Sequence, residues 1–337
     1  MTRYGLMMAL ALTLDAGPGR ADVMADTAAR ANLMAAAAEL AALVDAIRRA
    51  DAMAAAAEAA ADAREMFMAG DQSGGLALLI PLAETGNMRA QNIVGAAYQY
   101  GRGVPMDATL ALHYLSMSAA QLYPPALFNL GYLYEVGMQG IPANPVAART
   151  WYTRAAALDY PPALGNLGSM QIQGIGGPVD TVAGFRNLDR GATLDDSNAI
   201  EWLAFAYATG IGIEIDLVSA RRYYAMAAAI GEPAMAADYA GMLERGEGGP
   251  VDLHGAMTAY LHAVAGGNAY AGIGAAWLHF DHPDLFPDYV QGVGYCLWAA
   301  AHAGPEDVAE WTASCDDAAR DLTANERRQA EKFAAGL

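Results

Sequence analysis

Apolar and polar positions along this chain recur on two scales. Within short stretches they fall at helical spacing, as in Ala126-Leu-Phe-Asn-Leu130-Gly131-Tyr-Leu-Tyr134-Glu-Val-Gly137. A second kind of stretch, clearest at Asp216-Leu-Val-Ser-Ala220-Arg-Arg-Tyr223-Tyr224-Ala-Met-Ala227-Ala228-Ala229-Ile-Gly231, has counterparts at 111–120, 148–157 and 256–265. The two kinds alternate, and the pair returns with a fixed period. An aspartate-like position marks it: Asp71, Asp107, Asn144, Asp180, Asp216, Asp252 and Asp288, at intervals of 36, 37, 36, 36, 36 and 36. Other positions keep step. Ala90, Ala126, Ala163, Ala199, Met235 and Ala271 hold an apolar site early in each unit. Five residues later stand Gly95, Gly131, Gly168, Ala204, Ala240 and Ala276, and Gly101, Gly137, Gly174, Gly210 and Gly246 follow, with His282 breaking that series.

Each unit therefore predicts two helices and a turn. A glycine in mid-helix such as Gly131 costs roughly 1 kcal/mol in propensity, which close approach of a neighbouring helix would offset. Gly137 and its counterparts end the first helix where a left-handed conformation is needed. The turn is rich in glycine and proline, and its final Asp or Asn is suited to cap the second helix by accepting backbone N–H bonds. These glycine loops lie between helices, with no preceding strand and no Gly-Lys-Ser/Thr, and so do not read as phosphate cradles. One hairpin cannot bury its apolar face alone. The chain is expected to be all-α, an α-solenoid of stacked antiparallel helical hairpins with a period of about 36 residues.

The array is expected over 87–304. A degenerate first repeat at 50–86 is suggested by Asp71 and Gly86, which keep the offset of Asp216 and Gly231. The second helix of the Asp180 unit, Thr181-Val-Ala-Gly184-Phe-Arg-Asn-Leu-Asp-Arg-Gly191, is interrupted by glycine, and local distortion is expected there. Capping helices are expected at 305–337, the last opened by Thr323 with Glu326 three residues on. The alanine-rich stretch 22–49 places Leu33, Leu40 and Ile47 at seven-residue intervals, but the companion series Ala37, Val44, Asp51 starts small and ends charged. That is too weak for a strong coiled coil. One or two helices packed on the array, or a short self-association segment, fit better.

Residues 1–21 have the form of a secretory signal: Arg3, an apolar run from Tyr4 to Leu14, and small Gly19 and Ala21 at cleavage spacing. An ordinary N-terminal helix is the alternative. The run is too short to span a bilayer. The formal charge of −18, from 19 Lys+Arg against 37 Asp+Glu, opposes binding to nucleic acid or anionic membrane and favours basic partners. Cys296 and Cys315 are the two cysteines; in an exported chain they would form one disulfide or stay as two buried thiols.

Candidate chemistry is sparse. His279 and His282, with Asp281, Asp284 and Asp288 nearby, have ligand-like composition but fall where a helix gives way to a proline-containing turn, and read as a solvated loop. Ser116 and Ser118 lack a base nearby in sequence, and Glu135 and Asp159 are single carboxylates. No catalytic, cofactor-binding or metal residue is assigned, and no cofactor is implied. Tyr98, Tyr134, Tyr223 and Tyr224 recur at fixed repeat positions and should pack between helices.

The repeat resembles the Sel1-like repeat, a relative of the tetratricopeptide repeat. Ala126, Leu130, Gly131, Tyr134 and Gly137 match the first helix of that family's pattern, and Asn144, Ala148, Trp151, Tyr152, Ala155 and Ala156 most of its second. Asp216, Ala220, Tyr223, Tyr224, Ala227, Ala228 and Gly231 match again. The resemblance covers about 86–304 and implies an adaptor or scaffold, as in signalling, envelope processes or host contact. Some exported relatives carry two cysteines per repeat and are linked to penicillin binding; this chain departs from them, so that activity does not carry over. The expectation is a noncatalytic protein- or peptide-binding scaffold or adaptor in the bacterial cell envelope, periplasmic or secreted. Its partner is another protein or peptide, without nucleic acid or a stable membrane span, and self-association through the N-terminal region is compatible with that role. The rival reading is an envelope hydrolase or peptidoglycan-processing enzyme with an extended groove, which requires acidic or nucleophilic side chains converging in a pocket.

Overall fold

A computed structural model describes residues 20–337, with side chains described for 34–47 and 58–337. The candidate leader at 1–21 lies, apart from Arg20 and Ala21, outside the described residues. By contacts the chain divides into two units, 1–90 and 91–337.

In the first unit, α1 (Arg20–Met68) is one helix of 49 residues, so the alanine-rich stretch and the start of the expected first repeat share a single element. Residues 34–47 of α1 are exposed throughout, including Leu40, Leu43, Val44 and Ile47. Its C-terminal end buries Ala60, Ala63 and Phe67 against Leu76, Leu79 and Ala83 of α2 (Gln72–Glu84). Gly75 permits this approach, since a Cβ there would lie 2.7 Å from the Ala63 carbonyl and 2.8 Å from the Phe67 Cβ.

The second unit is a succession of helical hairpins. First helices are α3 (Met88–Tyr100), α5 (Pro124–Val136), α7 (Pro161–Gln173), α9 (Ser197–Thr209), α11 (Pro233–Arg245) and α13 (Ala269–Asp281). Second helices are α4 (Ala108–Ala120), α6 (Pro145–Ala156), α8 (Thr181–Ala192), α10 (Leu217–Ala229), α12 (Leu253–Ala265) and α14 (Tyr289–His302). α15 (Val308–Ala318) and α16 (Ala324–Ala334) pack on α14. Among the described residues no helix is long and apolar enough to cross a membrane.

The aspartate ladder is a ladder of helix caps. Each of its seven members accepts a backbone N–H in the first turn of the helix that follows, from Asp71 on Gly74 through Asn144 on Ala147 to Asp288 on Gln291. Five of the cap residues also reach back with their own N–H to the first helix of the hairpin: Asp107 to Tyr98, Asn144 to Tyr134, Asp180 to Gln171, Asp216 to Tyr207 and Asp252 to Leu243, at 2.6–3.0 Å. One residue thus closes the turn and starts the next helix, which is why its spacing is so strict. Gly101, Gly137, Gly174, Gly210 and Gly246 all have φ between 68° and 80°. Thr323 and Glu326 form a reciprocal capping box at the start of α16.

The distortion expected at 181–191 is absent: α8 is a regular helix of 12 residues. Its glycines are contact points. A Cβ on Gly184 would lie 2.6 Å from Ile172, and one on Gly191 would lie 2.8 Å from the Ala199 methyl. At Met235 the row of small residues changes, the methionine being partly buried while Ala236 beside it is fully buried.

A longer period of two hairpins overlies the basic one. Arg149 donates to the Pro178 carbonyl at 3.0 Å and Arg221 to the Pro250 carbonyl at 2.9 Å, each anchoring the turn of the next hairpin. Phe185 and Met257 stand at the intervening positions.

Candidate binding surface

The seam inside each hairpin is set by the mid-helix small residue. A Cβ on Gly131 would lie 2.5 Å from the Tyr152 ring, one on Gly95 2.8 Å from Leu115, and one on Gly168 2.7 Å from Leu188. Leu115, Tyr152, Leu188, Tyr224 and Tyr260 occupy one repeat position on the second helices, and all are buried. The tyrosines bring polar tips with them. Tyr152 donates to Glu135 at 2.5 Å and Tyr260 to Glu244 at 2.7 Å, both acceptors lying on the first helix of the same hairpin. Burial and then the carboxylate acceptor push both phenols well above their ordinary range. Burial, with Asp238 adding to it, pushes Tyr224 up to about 12. All three phenols remain neutral at any physiological pH, and Tyr152 and Tyr260 stay donors. Tyr98 stacks on Tyr114 and Tyr207 on Tyr223, at 6.1 Å and 5.8 Å between ring centroids, while Tyr134, half-buried, packs against the core that holds Leu130 and Tyr152. The recurrent tyrosines are packing residues, as their periodicity indicates.

Along the first helices, one position behaves differently. It is held in turn by Ala96, Tyr132, Ser169, Phe205, Gly241 and Trp277, so small residues and aromatics alternate. Phe205 is 43% exposed and Trp277 46% exposed, while Ser169 and Gly241 are buried. Phe205 meets Trp202 edge to face, and Trp277 meets Phe280 in the same way. Acidic groups accompany this row. Asp238 is open to solvent on one side yet otherwise surrounded by protein, which pushes its carboxyl above the usual range, with Arg245 opposing. Glu201 is raised by desolvation and by the nearby Glu232 and Asp196. Arg245 on the same helix is committed to Glu247 through two contacts of 2.8 Å and 3.0 Å.

The residues singled out for chemistry do not form a centre. His279 is buried, not part of a solvated loop: its Nδ1 lies 3.3 Å from the Phe286 carbonyl and its ring stacks with Tyr295. Desolvation lowers its pKa, so it is a neutral core imidazole. The turn after α13 folds back over that helix, which apolar content at Leu285 and Phe286 could have indicated. His282 ends α13. Ser116 is exposed and Ser118 buried, on different faces of α4. Glu135 is engaged by Tyr152, and Asp159 pairs with Arg190. Among the described residues no group of three His, Cys, Asp or Glu could hold a metal ion. Cys296 and Cys315 form a buried disulfide joining α14 to α15, with Cα atoms 5.5 Å apart.

The family model of the Sel1 repeat matches residues 89–121, 124–160, 161–196 and 197–232. The chain carries four Sel1 repeats. A Sel1 repeat protein from Oxalobacter formigenes is similar at 26% identity and a TM-score of 0.60, over 71% of this chain and 96% of that one. A protective antigen of uropathogenic Escherichia coli strains, displaying an SLR fold, is similar at 18% identity and a TM-score of 0.63, over 78% of this chain and 64% of that one. Comparison with curated proteins returns no match. Each matched Sel1 repeat begins at a first helix and closes after the second. The caps at Asp252 and Asp288 carry the same hairpin geometry beyond the matched residues. Sel1 repeats typically mediate protein binding. The alternation on the first helices of this Sel1 array escaped sequence reading because its period is two repeats, and a residue present in every other unit looks like degeneracy.

Proposed function

We propose that this chain is a noncatalytic protein- or peptide-binding scaffold that works in the bacterial cell envelope. The observation that carries the reading is the division of labour among aromatics. The recurrent Tyr152, Tyr223, Tyr224 and Tyr260 are buried in the seam and Tyr98, Tyr134 and Tyr207 are half-buried beside the core, whereas Phe205 and Trp277 break the pattern and stand open on the first helices. Large aromatics left exposed in a well-packed array are the residue types that dominate binding hot spots. The disulfide supports an oxidising location, since such bonds persist outside the reducing cytosol. The apolar run at 4–14 supports export by the same logic.

Two measurements test this. The tagged full chain is expressed in a bacterial host, fractionated, and the mature N-terminus sequenced. An intact N-terminus on cytoplasmic material refutes the envelope assignment. Affinity capture from envelope fractions, followed by reconstitution with the purified captured protein, should give a discrete complex by size exclusion with light scattering. A purified pair that fails to associate refutes the scaffold role.

A further inference from the structure

The alternation on the first helices leaves a trough between two ridges. Trp202 and Phe205 stand on α9, and Trp277 stands at the Phe205-equivalent position of α13. Between them α11 presents Gly241 at that row and Asp238 at the row of Trp202. Helices pack 8–10 Å apart, so ridges two helices apart are separated by roughly 18 Å between axes, and the rings narrow this to about 10 Å. That is the width of one extended chain with its side chains. Gly241 carries no side chain at this row, and the space above it holds the Arg245 side chain instead. The guanidinium of Arg245 lies over Gly241, 2.8 Å from where a Cβ would stand, and its charge is matched by Glu247.

The trough carries an excess of acid, since Arg245, which offsets Asp238 in part, is itself bonded to Glu247. Among the described residues no cation lies within ion-pair distance of Asp238 or Glu201. Both carboxylates sit where protein has replaced part of their water, so an incoming cation gains more from them than from an ordinary surface acid. The flanking rings favour the same guest, because the faces of tryptophan and phenylalanine attract ammonium and guanidinium groups. The equivalent trough over α7 is different: Ser169 forms its floor, and Asn166 holds Asn198 at 2.5 Å. One trough is therefore acidic and the other is lined by neutral amides and hydroxyls.

We infer that the trough between Trp202/Phe205 and Trp277 is a docking site for an extended basic segment of a partner protein, with separate Lys or Arg side chains seated against Asp238 and against Glu201. This rests on the proposed binding role and adds its location and the partner's chemistry.

The test pans a phage library of random decapeptides against the full chain and measures affinities of the enriched peptides for variants. Enriched peptides should carry Lys or Arg next to an apolar residue. Glu201→Gln with Asp238→Asn should weaken binding about tenfold, and Phe205→Ala and Trp277→Ala each about fivefold. A control that removes two exposed charges elsewhere, Glu310→Gln with Asp316→Asn, should change it less than twofold. All six altered side chains lie outside the buried core, and circular dichroism and the unfolding midpoint serve as references for folding. Equal losses from the control pair would show diffuse attraction to an acidic surface and overturn the site. Enrichment of peptides without a basic residue, or binding indifferent to Phe205 and Trp277, would overturn the site while leaving the binding role standing. Failure to enrich any peptide would count against both.

Discussion

Replacing Gly131 by alanine sets two effects of known size against each other. In mid-helix the change should gain about 1 kcal/mol in propensity. Yet the new methyl would lie 2.5 Å and 2.6 Å from two carbons of the Tyr152 ring, where ordinary carbon contacts are about 3.5 Å or longer. The ring must retreat by roughly 1 Å. It has little freedom to do so, since Tyr152 is fully buried and its hydroxyl is held by Glu135 at 2.5 Å. Overpacking of this kind costs about 1–3 kcal/mol, and a strained hydrogen bond to a carboxylate adds to it. The net expectation is destabilisation by about 1–2 kcal/mol. Because repeat arrays need not unfold in one step, the assay is amide hydrogen exchange in α5 and α6 alongside urea denaturation. Protection should fall in those two helices first. Adding Tyr152→Leu, the residue type that faces Gly95 and Gly168, should recover part of the loss. If Gly131→Ala raises the urea midpoint, helix propensity outweighs the contact, and close approach is not why glycine stands there.

Three further outcomes are expected. Leu122 has φ 58° where Gly86, Gly231 and Gly267 hold the equivalent left-handed position, and it is exposed; Leu122→Gly should stabilise the chain by about 0.5–1 kcal/mol in thermal or urea unfolding, and a loss of stability would contradict the strain argument. Reducing the Cys296–Cys315 bond, which closes a loop of 19 residues, should cost about 3 kcal/mol and loosen α14 and α15 selectively in hydrogen exchange, whereas unchanged protection would show that packing alone holds them. Desolvation raises Asp189, Asp196, Glu201 and Asp238 above their unfolded values, so their ionisation opposes folding, and stability should rise as pH falls from 7 toward about 5. Asp216, Glu247 and Glu326 are lowered, so their contribution is lost on further acidification below about 4. A melting temperature that falls steadily from pH 7 downward would contradict this ordering.

The legible part of this chain is the part governed by local rules. A cap must sit at one place relative to its helix, and a left-handed C-terminal residue is nearly always glycine, so both print a period into the sequence. Spacing alone marks the seven caps and the five terminal glycines with positive φ. Gly184 and Gly191 show the limit of that method. As residue types they suggest a broken helix, but their neighbours Ile172 and Ala199 lie on other helices, and contact with them turns a breaker into a spacer. His279 failed for a related reason: the Phe286 carbonyl that satisfies it belongs to a turn whose path no periodicity specifies.

The same distinction bears on function. A position that packs in every hairpin answers to a neighbour inside the chain, and where tyrosine fills the seam at Tyr152 and Tyr260 a glutamate meets each and both are buried. A partner supplies no such internal repeat, and residues that meet it are free of the 36-residue period. Tyr132, Phe205 and Trp277 keep a position but alternate with Ala96, Ser169 and Gly241, and Asp238 has no charged counterpart at Asn129, Asn166 or Trp202. Ridge and floor both depend on that alternation. An aromatic at Gly241 would fill the trough, and a small residue at Phe205 would remove its wall. Retention of the core period within the chain, with departure from it along one row, is the pattern that the proposed binding role requires: packing fixes the scaffold, and the surface row is free of the repeat.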